Sequence, residues 1–267
     1  MQTVHVLSYG AGVQSKAILY MAAMGIITPK PDLVVFADPG WESEGTYQDL
    51  RQVMQDMKRF GIEIMVTAKG NIREDIYNGK HHNKRFVSLP FFTLNQKGEK
   101  GMVRRQCTKE YKIEPVHKAI RAFLGYRPRQ IIKQDVRLWL GISMDEIQRM
   151  KPSRAKWITH RFPLIEKEMT RLDCMNFMER NQIELPPKSS CIGCPFHDDY
   201  TWRDMKLNRP NEWAEALQMD DEIRQLPRFK GQAFLHRSCV PLSEVDFQEN
   251  QMEFDFFINE CEGHCGL

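Results

Sequence analysis

Cysteine thiols are the side chains of this sequence whose spacing points most directly to chemistry. All seven lie beyond residue 100, and four of them form two close pairs, Cys191 with Cys194 and Cys261 with Cys265. Two thiolates separated by two residues can be presented to one metal ion or cluster. The two pairs together would complete a four-thiolate zinc site. We therefore predict a metal centre built from these pairs, with a thioredoxin-like redox pair as a weaker alternative.

A glycine-containing turn is the second candidate for chemistry. Residues 8–15 read Ser-Tyr-Gly-Ala-Gly-Val-Gln-Ser and lie between a β-rich segment and an apolar, helix-like segment. Glycines let the backbone approach an anion closely, and the following helix offers free N–H groups and a positive dipole end. The spacing matches neither the common mononucleotide loop nor the dinucleotide fingerprint. From these residues alone, a phosphate site and a tight turn without a ligand are equally good interpretations.

Alternating elements must position this turn. Apolar runs predict strands at residues 3–8, 33–37 and 62–66, and helical spacing predicts helices at residues 14–25 and 46–60. This alternation predicts an α/β fold with a doubly wound, mostly parallel sheet. Residues 69–109 break the pattern with many basic side chains, and we interpret them as a long basic lid without regular structure over the active site.

The second half of the chain carries weaker periodicity. We predict a helix from about Glu110 to Leu124, a strand from Val136 to Ile142, and mainly helices with irregular connections from Ser143 onward, among them a helix from Asp198 to about Leu207. Two parts are expected. Residues 1–182 would form the nucleotide-binding domain, including the lid at 69–109, and residues 183–267 a helical, cysteine-bearing C-terminal region.

Composition limits the class of protein. The 267 residues are 42% hydrophobic and 27% charged, which excludes wholesale disorder. No run approaches the roughly 18 apolar residues of a membrane helix, and the first residues resemble a strand more than a signal peptide. We expect a cytoplasmic protein without membrane contact, whose cysteines are not disulfides. The net charge of +3 is too small to indicate nucleic-acid binding by itself.

The glycine turn and four later motifs resemble the adenine nucleotide α-hydrolase (PP-loop) superfamily, which includes PAPS and APS reductases, tRNA thiolases and DNA phosphorothioation ATP pyrophosphatases. The later motifs are Asp38-Pro39-Gly40-Trp41 with Glu44, Thr46 and Tyr47; Arg105-Gln106-Cys107-Thr108 with Lys112 and Pro115; Gly141-Ile142-Ser143 with Glu146 and Arg149; and Phe162-Pro163-Leu164-Ile165 with Thr170 and Asp173. Their order resembles the family over residues 3 to 200. Gln14 stands where many ATP-using members have Asp, which is similar to some PAPS reductases.

The resemblance implies a nucleotide site that holds ATP with Mg²⁺, or PAPS as the alternative. The residues implied in nucleotide binding are Ser8, Tyr9, Gly10, Gly12, Gln14, Ser15, Asp38, Gly141, Ile142, Glu146 and Arg149. A carboxylate at a strand end, such as Asp38, can bind a ribose hydroxyl or Mg²⁺. A turn or helix-capping aspartate is the alternative interpretation of this residue.

The resemblance also favours a [4Fe–4S] cluster over Zn²⁺. Cys107 lies where APS reductases carry a tandem pair, and Cys191 and Cys194 follow at a similar distance. In the preferred assignment, Cys107, Cys191, Cys194 and Cys261 bind the cluster and Cys265 is the catalytic thiol. In the second assignment, both tail cysteines join Cys191 and Cys194, and Cys107 is the catalytic, persulfide-bearing thiol. Neighbouring Arg104, Arg105 and Lys109 would then lower the pKa of the Cys107 thiol.

These implications give one leading hypothesis and two alternatives. The leading hypothesis is an ATP pyrophosphatase and iron–sulfur sulfurtransferase that activates a nucleic acid, DNA or tRNA, and inserts sulfur supplied by a cysteine desulfurase. The basic residues of the lid would contact the nucleic acid. The first alternative is a PAPS/APS reductase that releases sulfite through a C-terminal cysteine. The second is a non-catalytic nucleotide-binding module.

Overall fold

A computed structural model describes residues 3–82, 86–87, 89–226 and 229–247 of the chain. Strands and helices alternate through its first half. In chain order these elements are β1 (Val4–Tyr9), α1 (Val13–Ala23), β2 (Leu33–Asp38), α2 (Glu44–Lys58), β3 (Ile64–Ala68), α3 (Ile72–His81), β4 (Phe92–Asn95), β5 (Lys100–Met102), a π-helix (Thr108–Ile113) and α4 (Glu114–Phe123).

The second half is mainly helical, with three further strands. Its elements are β6 (Val136–Trp139), a 3-10 helix (Met144–Arg149), β7 (Ile158–Arg161), α5 (Pro163–Glu166), α6 (Arg171–Arg180), α7 (Asp199–Asn208), α8 (Pro210–Ile223), β8 (Gly231–Phe234) and a short 3-10 turn (Leu242–Glu244). No helix within the described ranges is both long and apolar enough to cross a membrane.

The central sheet has the strand order β3-β2-β1-β6-β7, and every neighbouring pair is parallel. Its apolar strands require cover on both faces. Helices α1, α2 and α6 pack on one face around side chains such as Ile18 and Val53, and α4 covers the other face through Val116 and Ile120. The prediction of an α/β fold with a doubly wound, mostly parallel sheet is confirmed.

A second sheet corrects the prediction of a structureless lid at residues 69–109. This segment contains α3 and the antiparallel strands β4 and β5, and β4 also pairs with β8 near the other end of the chain. The pairing satisfies the backbone of a segment whose own sequence has little periodicity. Residues of the predicted lid and of the predicted C-terminal region therefore share one apolar cluster, which includes Phe91, Trp202 and Leu235.

Two short strands were also missed where helices were expected. β7 and β8 have four residues each, and each forms by pairing with a strand distant in sequence, β6 and β4 respectively. Their sequences, Ile-Thr-His-Arg and Gly-Gln-Ala-Phe, carry too few apolar residues to establish a period. The third strand was predicted correctly in type but lies two residues further along, at Ile64–Ala68.

Candidate functional site

The strand order places a crevice at the carboxyl edge of the central sheet. The chain leaves β1 toward β2 on one side, whereas β6 lies on the other side, so the winding direction reverses between β1 and β6. Ligands of open α/β sheets bind at such a reversal, beyond the carboxyl ends of the strands. The turn at residues 10–12 follows β1 and the turn at residues 141–143 follows β6. The two predicted glycine turns therefore meet at this crevice.

Ser15 organises the first glycine turn. Its Oγ accepts hydrogen bonds from Gly10 N at 3.2 Å and Gly12 N at 3.3 Å, and it donates to Gly12 O at 3.2 Å. Between the two glycines, Ala11 has a φ of 57°. The first-turn amides of α1, at Val13 and Gln14, have no intrahelical acceptor, and the helix dipole adds positive potential there. This arrangement suits a phosphate group at the start of α1.

Gln14 joins the two glycine turns. The side chain is fully buried, and its Nε2 donates to Glu146 Oε2 at 3.3 Å and to Ser143 Oγ at 3.5 Å. Its Oε1 accepts from Arg171 Nη1 at 2.9 Å, and Glu146 is paired in turn with Arg149. Gln14, Glu146 and Arg149, three of the predicted nucleotide-binding residues, thus form one network. Arg171 belongs to the same network, although none of the sequence motifs includes this residue.

Several other predicted nucleotide-binding residues are buried in the core. Tyr9 is 1% exposed and contacts Phe36 with ring centroids 6.3 Å apart, and Ile142 is 4% exposed. Ser8 is also buried within β1. These side chains hold the strand ends in place, so a nucleotide would be contacted through the backbone turns that they anchor.

Asp38 lies at the carboxyl end of β2, as predicted. Its Oδ1 accepts from Gly40 N at 2.7 Å and from the Tyr47 hydroxyl at 2.8 Å. Gly40 has a φ of 74°, and a Cβ there would stand 2.9 Å from the Cα of Asn71, so only glycine fits this turn. Within the described ranges Asp38 Oδ2 accepts no hydrogen bond. The carboxylate combines a turn role with one oxygen available to a ribose hydroxyl or Mg²⁺.

The cysteine segment is attached directly to this crevice. Ser189 Oγ donates to Gly10 O at 2.7 Å, which ties the residues before Cys191 to the first glycine turn. Ile192 N donates to Trp41 O at 2.9 Å, and Cys191 pairs with Glu42 in an isolated β-bridge. The Cys191–Cys194 loop is therefore fastened to the segments that follow both β1 and β2.

Gly193 allows this loop to lie against Trp41. A Cβ at Gly193 would overlap the six-membered ring of the Trp41 indole, so any larger residue would displace the loop. The indole Nε1 donates to Glu215 Oε2 at 2.8 Å, and Arg73 Nη1 lies 3.1 Å from the same oxygen. Trp41 is 3% exposed, and its indole supports the cysteine loop.

Cys107, Cys191 and Cys194 lie in one apolar cluster, although Cys107 is more than 80 residues away in sequence. Burial, followed by the negative charge of Glu42, raises the pKa of the Cys191 thiol well above its usual range, and Lys112 opposes this shift. Cys194 and Cys107 raise the same pKa electrostatically, as expected of neighbouring thiols. Coordination to a metal would replace the proton that burial favours.

His197 supports the backbone of the cysteine loop. Its Nε2 lies 3.0 Å from Cys191 O and 3.1 Å from Ile192 O; because both partners are carbonyl acceptors, Nε2 carries the proton. Burial lowers the pKa of this ring to about 3, so it is neutral at physiological pH. The ring packs edge-on against Trp202, with centroids 4.7 Å apart.

The donor chemistry of the three clustered cysteines fits a zinc ion or an iron–sulfur cluster, since both prefer soft thiolate ligands. Within the described ranges, however, no three His, Cys, Asp or Glu side chains already form a ready metal-ligand set. Cys261 and Cys265, the predicted fourth ligand and catalytic thiol, lie outside the described residues. The complete ligand set therefore stays a prediction, as does the choice of reactive thiol. Cys174 and Cys239 are buried, as expected of packing thiols.

A cavity of about 510 Å³ opens between the glycine turn and the cysteine loop. Its lining includes Val13 at the start of α1, Arg171 of the Gln14 network, and Ser190, Ile192 and His197 of the cysteine segment. The volume is within the usual range for small-molecule sites. The cavity thus adjoins both groups of predicted site residues.

The chain was compared with family models, curated proteins and solved structures. No family model and no curated protein matches the chain. Among solved structures, a match is found to the U34-tRNA thiolase NcsA from Methanococcus maripaludis with its [4Fe-4S] cluster, with a TM-score of 0.40 and 11% sequence identity over 90% of this chain and 79% of that chain. A similarity this low does not assign a function. The strand order and the crevice define an α/β protein that carries two glycine turns and a cysteine cluster where the winding direction of the sheet reverses.

Proposed function

We propose that this chain is a PP-loop ATP pyrophosphatase and iron–sulfur sulfurtransferase that activates a nucleic acid, by DNA phosphorothioation or tRNA thiolation. The observation that carries the proposal is the hydrogen bond from Ser189 Oγ to Gly10 O, 2.7 Å long. It places the Cys191–Cys194 loop directly beside the turn that suits a phosphate. A nucleotide-activating centre and a sulfur-handling centre would thus share one crevice.

The chain's own residues account for the first step. The first-turn amides and dipole of α1 would bind the phosphates of ATP, and Asp38 Oδ2 would hold a ribose hydroxyl or Mg²⁺. An acceptor oxygen of the nucleic acid then attacks the α-phosphorus, and pyrophosphate leaves with the electron pair of the broken P–O bond. Arg149, whose charge is shared with Glu146, and Arg171, which lines the cavity, would stabilise the charge that develops on the phosphates.

Cysteines account for the second step. Cys107, Cys191 and Cys194 would hold a cluster, with a fourth thiolate from Cys261, and the cluster would supply a place where sulfur is held for transfer. The terminal sulfur of a persulfide, received from a cysteine desulfurase, would attack the activated centre of the acceptor, and AMP would leave with its oxygen. A second thiol would then attack the carrier sulfur, so that the S–S bond breaks and the thiolated acceptor leaves. The disulfide formed between the carrier and the second thiol would be reduced by an external dithiol. Cys265 would carry this sulfur in that assignment, and Cys107 would carry it if Cys261 and Cys265 both join Cys191 and Cys194 as ligands. The buried neutral His197 keeps the loop backbone fixed without adding charge beside the thiols.

Turnover of ATP and of PAPS tests the proposal. The protein is purified anaerobically and incubated with ATP, Mg²⁺ and nucleic acid, and separately with PAPS and reduced thioredoxin. Release of AMP and pyrophosphate from ATP is expected. Sulfite from PAPS without pyrophosphate from ATP would instead establish the reductase alternative, and turnover of neither nucleotide would establish a non-catalytic module.

Two isosteric variants locate the activity. Asp38→Asn keeps the acceptor for Gly40 N and Tyr47 but removes the charge, so ATP turnover should fall at least about tenfold. Asp32→Asn is the matched control, since Asp32 lies just before the opposite end of β2 and accepts only from His5 N among the described residues. Equal rates for both variants would contradict the assignment of the crevice.

A further inference from the structure

Two stretches of the sequence contain cations but no carboxylate. Neither residues 115–134 nor residues 147–165 contain an Asp or Glu. The cations of the two stretches are Lys118, Arg121, Arg127, Arg129 and Lys133 in the first and Arg149, Lys151, Arg154, Lys156 and Arg161 in the second. The whole chain has a net charge of only +3, so two stretches that hold ten cations and no acidic residue are a local concentration of positive charge.

The fold brings these two stretches together. The first runs from α4 to the start of β6, the second runs from the 3-10 helix through β7 into α5, and β6 and β7 are parallel neighbours. Val136 N donates to Trp157 O at 3.3 Å, and the rings of His117 and Trp157 meet with centroids 5.6 Å apart. The segments directly before β6 and directly before β7 therefore meet at the amino edge of the sheet, opposite the crevice.

The loop between α4 and β6 is held in a fixed shape by its own hydrogen bonds. Arg121 Nη2 donates to Arg127 O at 2.8 Å and to Gln130 O at 2.5 Å. Gln130 Oε1 accepts from Arg127 N at 3.0 Å, and the Tyr126 hydroxyl accepts from Lys133 N at 3.3 Å. The Arg121 side chain thus stabilises the loop, and the other cations of the loop project from a preorganised backbone. Such preorganisation lowers the entropic cost of binding.

Seven exposed cations define this surface, which we call the amino-edge cations: Lys118, Arg127, Arg129, Lys133, Lys151, Arg154 and Lys156. None of them has a carboxylate within 4 Å in the described part of the chain. By contrast, Lys80 and Lys109 of the predicted basic lid are paired with Glu222 and Glu114. The charges of these two lid cations are partly neutralised, whereas the amino-edge cations have no such partner among the described residues.

A cleft lies among the amino-edge cations. Its volume is about 550 Å³, and its lining includes Arg129, Lys133, Lys156 and the half-buried ring of Trp157. The one carboxylate in the lining, Asp135, is 3.2 Å from Arg137 Nε. Burial lowers the pKa of the adjacent His117 to about 4, so that ring adds no charge at neutral pH.

We propose that the amino-edge cations bind the phosphodiester backbone of a polynucleotide. The inference rests on the proposed function and names the surface that holds its acceptor. Strand β6 has four residues, and at about 3.3 Å per residue the surface lies about 13 Å from the turn at residues 141–143. That span equals about four base-pair steps at roughly 3.4 Å each. A polynucleotide can therefore contact the amino-edge cations and enter the crevice, whereas a mononucleotide cannot reach both.

Binding without ATP tests the inference separately from catalysis. Fluorescence anisotropy with a labelled RNA hairpin and a DNA duplex of equal length gives affinity as a function of salt. The triple variant Arg129→Gln, Lys133→Gln and Lys156→Gln should weaken binding about tenfold or more and reduce the slope of log K against log salt by about 3. The preferred nucleic acid will identify the acceptor class.

A second triple variant is the matched control. Lys30→Gln, Lys58→Gln and Arg59→Gln change the net charge by the same amount on the exposed surface beside β2 and β3. This control should bind like the unmodified chain. Equal weakening by both triples would overturn the inference, as would an unchanged salt slope or tighter binding to poly-glutamate than to either nucleic acid. Binding of ATP in the absence of nucleic acid should be the same in both triples as in the unmodified chain, so a failure of the unmodified chain to bind ATP would count against the proposed function only.

Discussion

The buried ion pair of Glu42 and Lys112 gives the sharpest test of how the cysteine loop is held. Lys112 Nζ lies 3.2 Å from Glu42 Oε1, and the two side chains are 11% and 0% exposed. Glu42 also forms the β-bridge with Cys191. At an effective dielectric constant of about 20, two unit charges at this distance attract by roughly 5 kcal/mol. The pair therefore joins the π-helix after Cys107 to the loop that carries Cys191.

Lys112→Met removes one charge and leaves the Glu42 carboxylate buried. Loss of one partner of a buried pair costs about 3–5 kcal/mol, because the remaining charge keeps its desolvation penalty. Replacing both partners, with Glu42→Gln and Lys112→Met, removes that penalty and should recover most of the loss. Urea unfolding at pH 7.5, followed by tryptophan fluorescence, measures all four free energies of the double-mutant cycle.

Lys109→Met is the matched control for this cycle. Lys109 lies three residues earlier, and its partner Glu114 is 3.9 Å away with both side chains well exposed. An exposed pair contributes at most about 1 kcal/mol. A loss of less than about 1 kcal/mol for Lys112→Met, or additive effects of the two substitutions, would refute the view that this pair clamps the cysteine loop.

Three further predictions follow from single contacts. Ser189→Ala removes the hydrogen bond to Gly10 O, so it should lower the free energy of unfolding in urea by about 0.5–1.5 kcal/mol and weaken ATP binding. The control Ser153→Ala removes a similar hydrogen bond, to Ala155 O, outside the cavity and should leave ATP binding unchanged; equal ATP affinity in both variants would contradict the tether. The new Cβ of Gly193→Ala would overlap the Trp41 ring, so this variant should lower the free energy of unfolding by about 1–3 kcal/mol. Gly45→Ala is the control, because a Cβ there would stand 3.5 Å from its nearest neighbour; equal urea midpoints for the two variants would count against the packing. Burial lowers the pKa of His117 from 6.5 to about 4, so the ring binds a proton more weakly in the native state than in the unfolded state. The free energy of unfolding should therefore decrease as the pH falls below about 6.5, by up to about 2 kcal/mol at pH 5. His117→Gln should reduce this pH dependence in thermal unfolding, and an unchanged pH profile would refute the burial of the ring.

The first half of the fold could be predicted because its signals are local. Segments such as Leu33–Asp38 are continuous apolar runs, and the residues of α1 are apolar at helical spacing, so each element is evident within its own sequence. β7 and β8 are different, because four-residue strands form only when a partner strand supplies their hydrogen bonds. The same reason explains the missed order within the predicted lid.

The candidate site shows the same division. Glycine spacing and the cysteine pair were visible in the sequence, and the structure brings the two glycine turns and Cys107, Cys191 and Cys194 to one edge of the sheet. Ser189 and Glu42 were not chosen, because their roles depend on Gly10 and Lys112, which are 179 and 70 residues away in the chain. The Ser-Ser pair directly before Cys191 was the available signal, since small hydroxyl residues often cap and tether loops.

Iron and sulfide content tests most directly the central claim that the clustered cysteines form an iron–sulfur centre beside the nucleotide turn. The measurement compares anaerobically purified wild type with Cys191→Ser and with the control Cys239→Ser, whose hydroxyl can still donate to Thr93 O. About four iron and four sulfide per chain are expected in the wild type and in Cys239→Ser, with a large loss of both in Cys191→Ser. One zinc per chain and no sulfide, or full iron content in Cys191→Ser, would contradict the account.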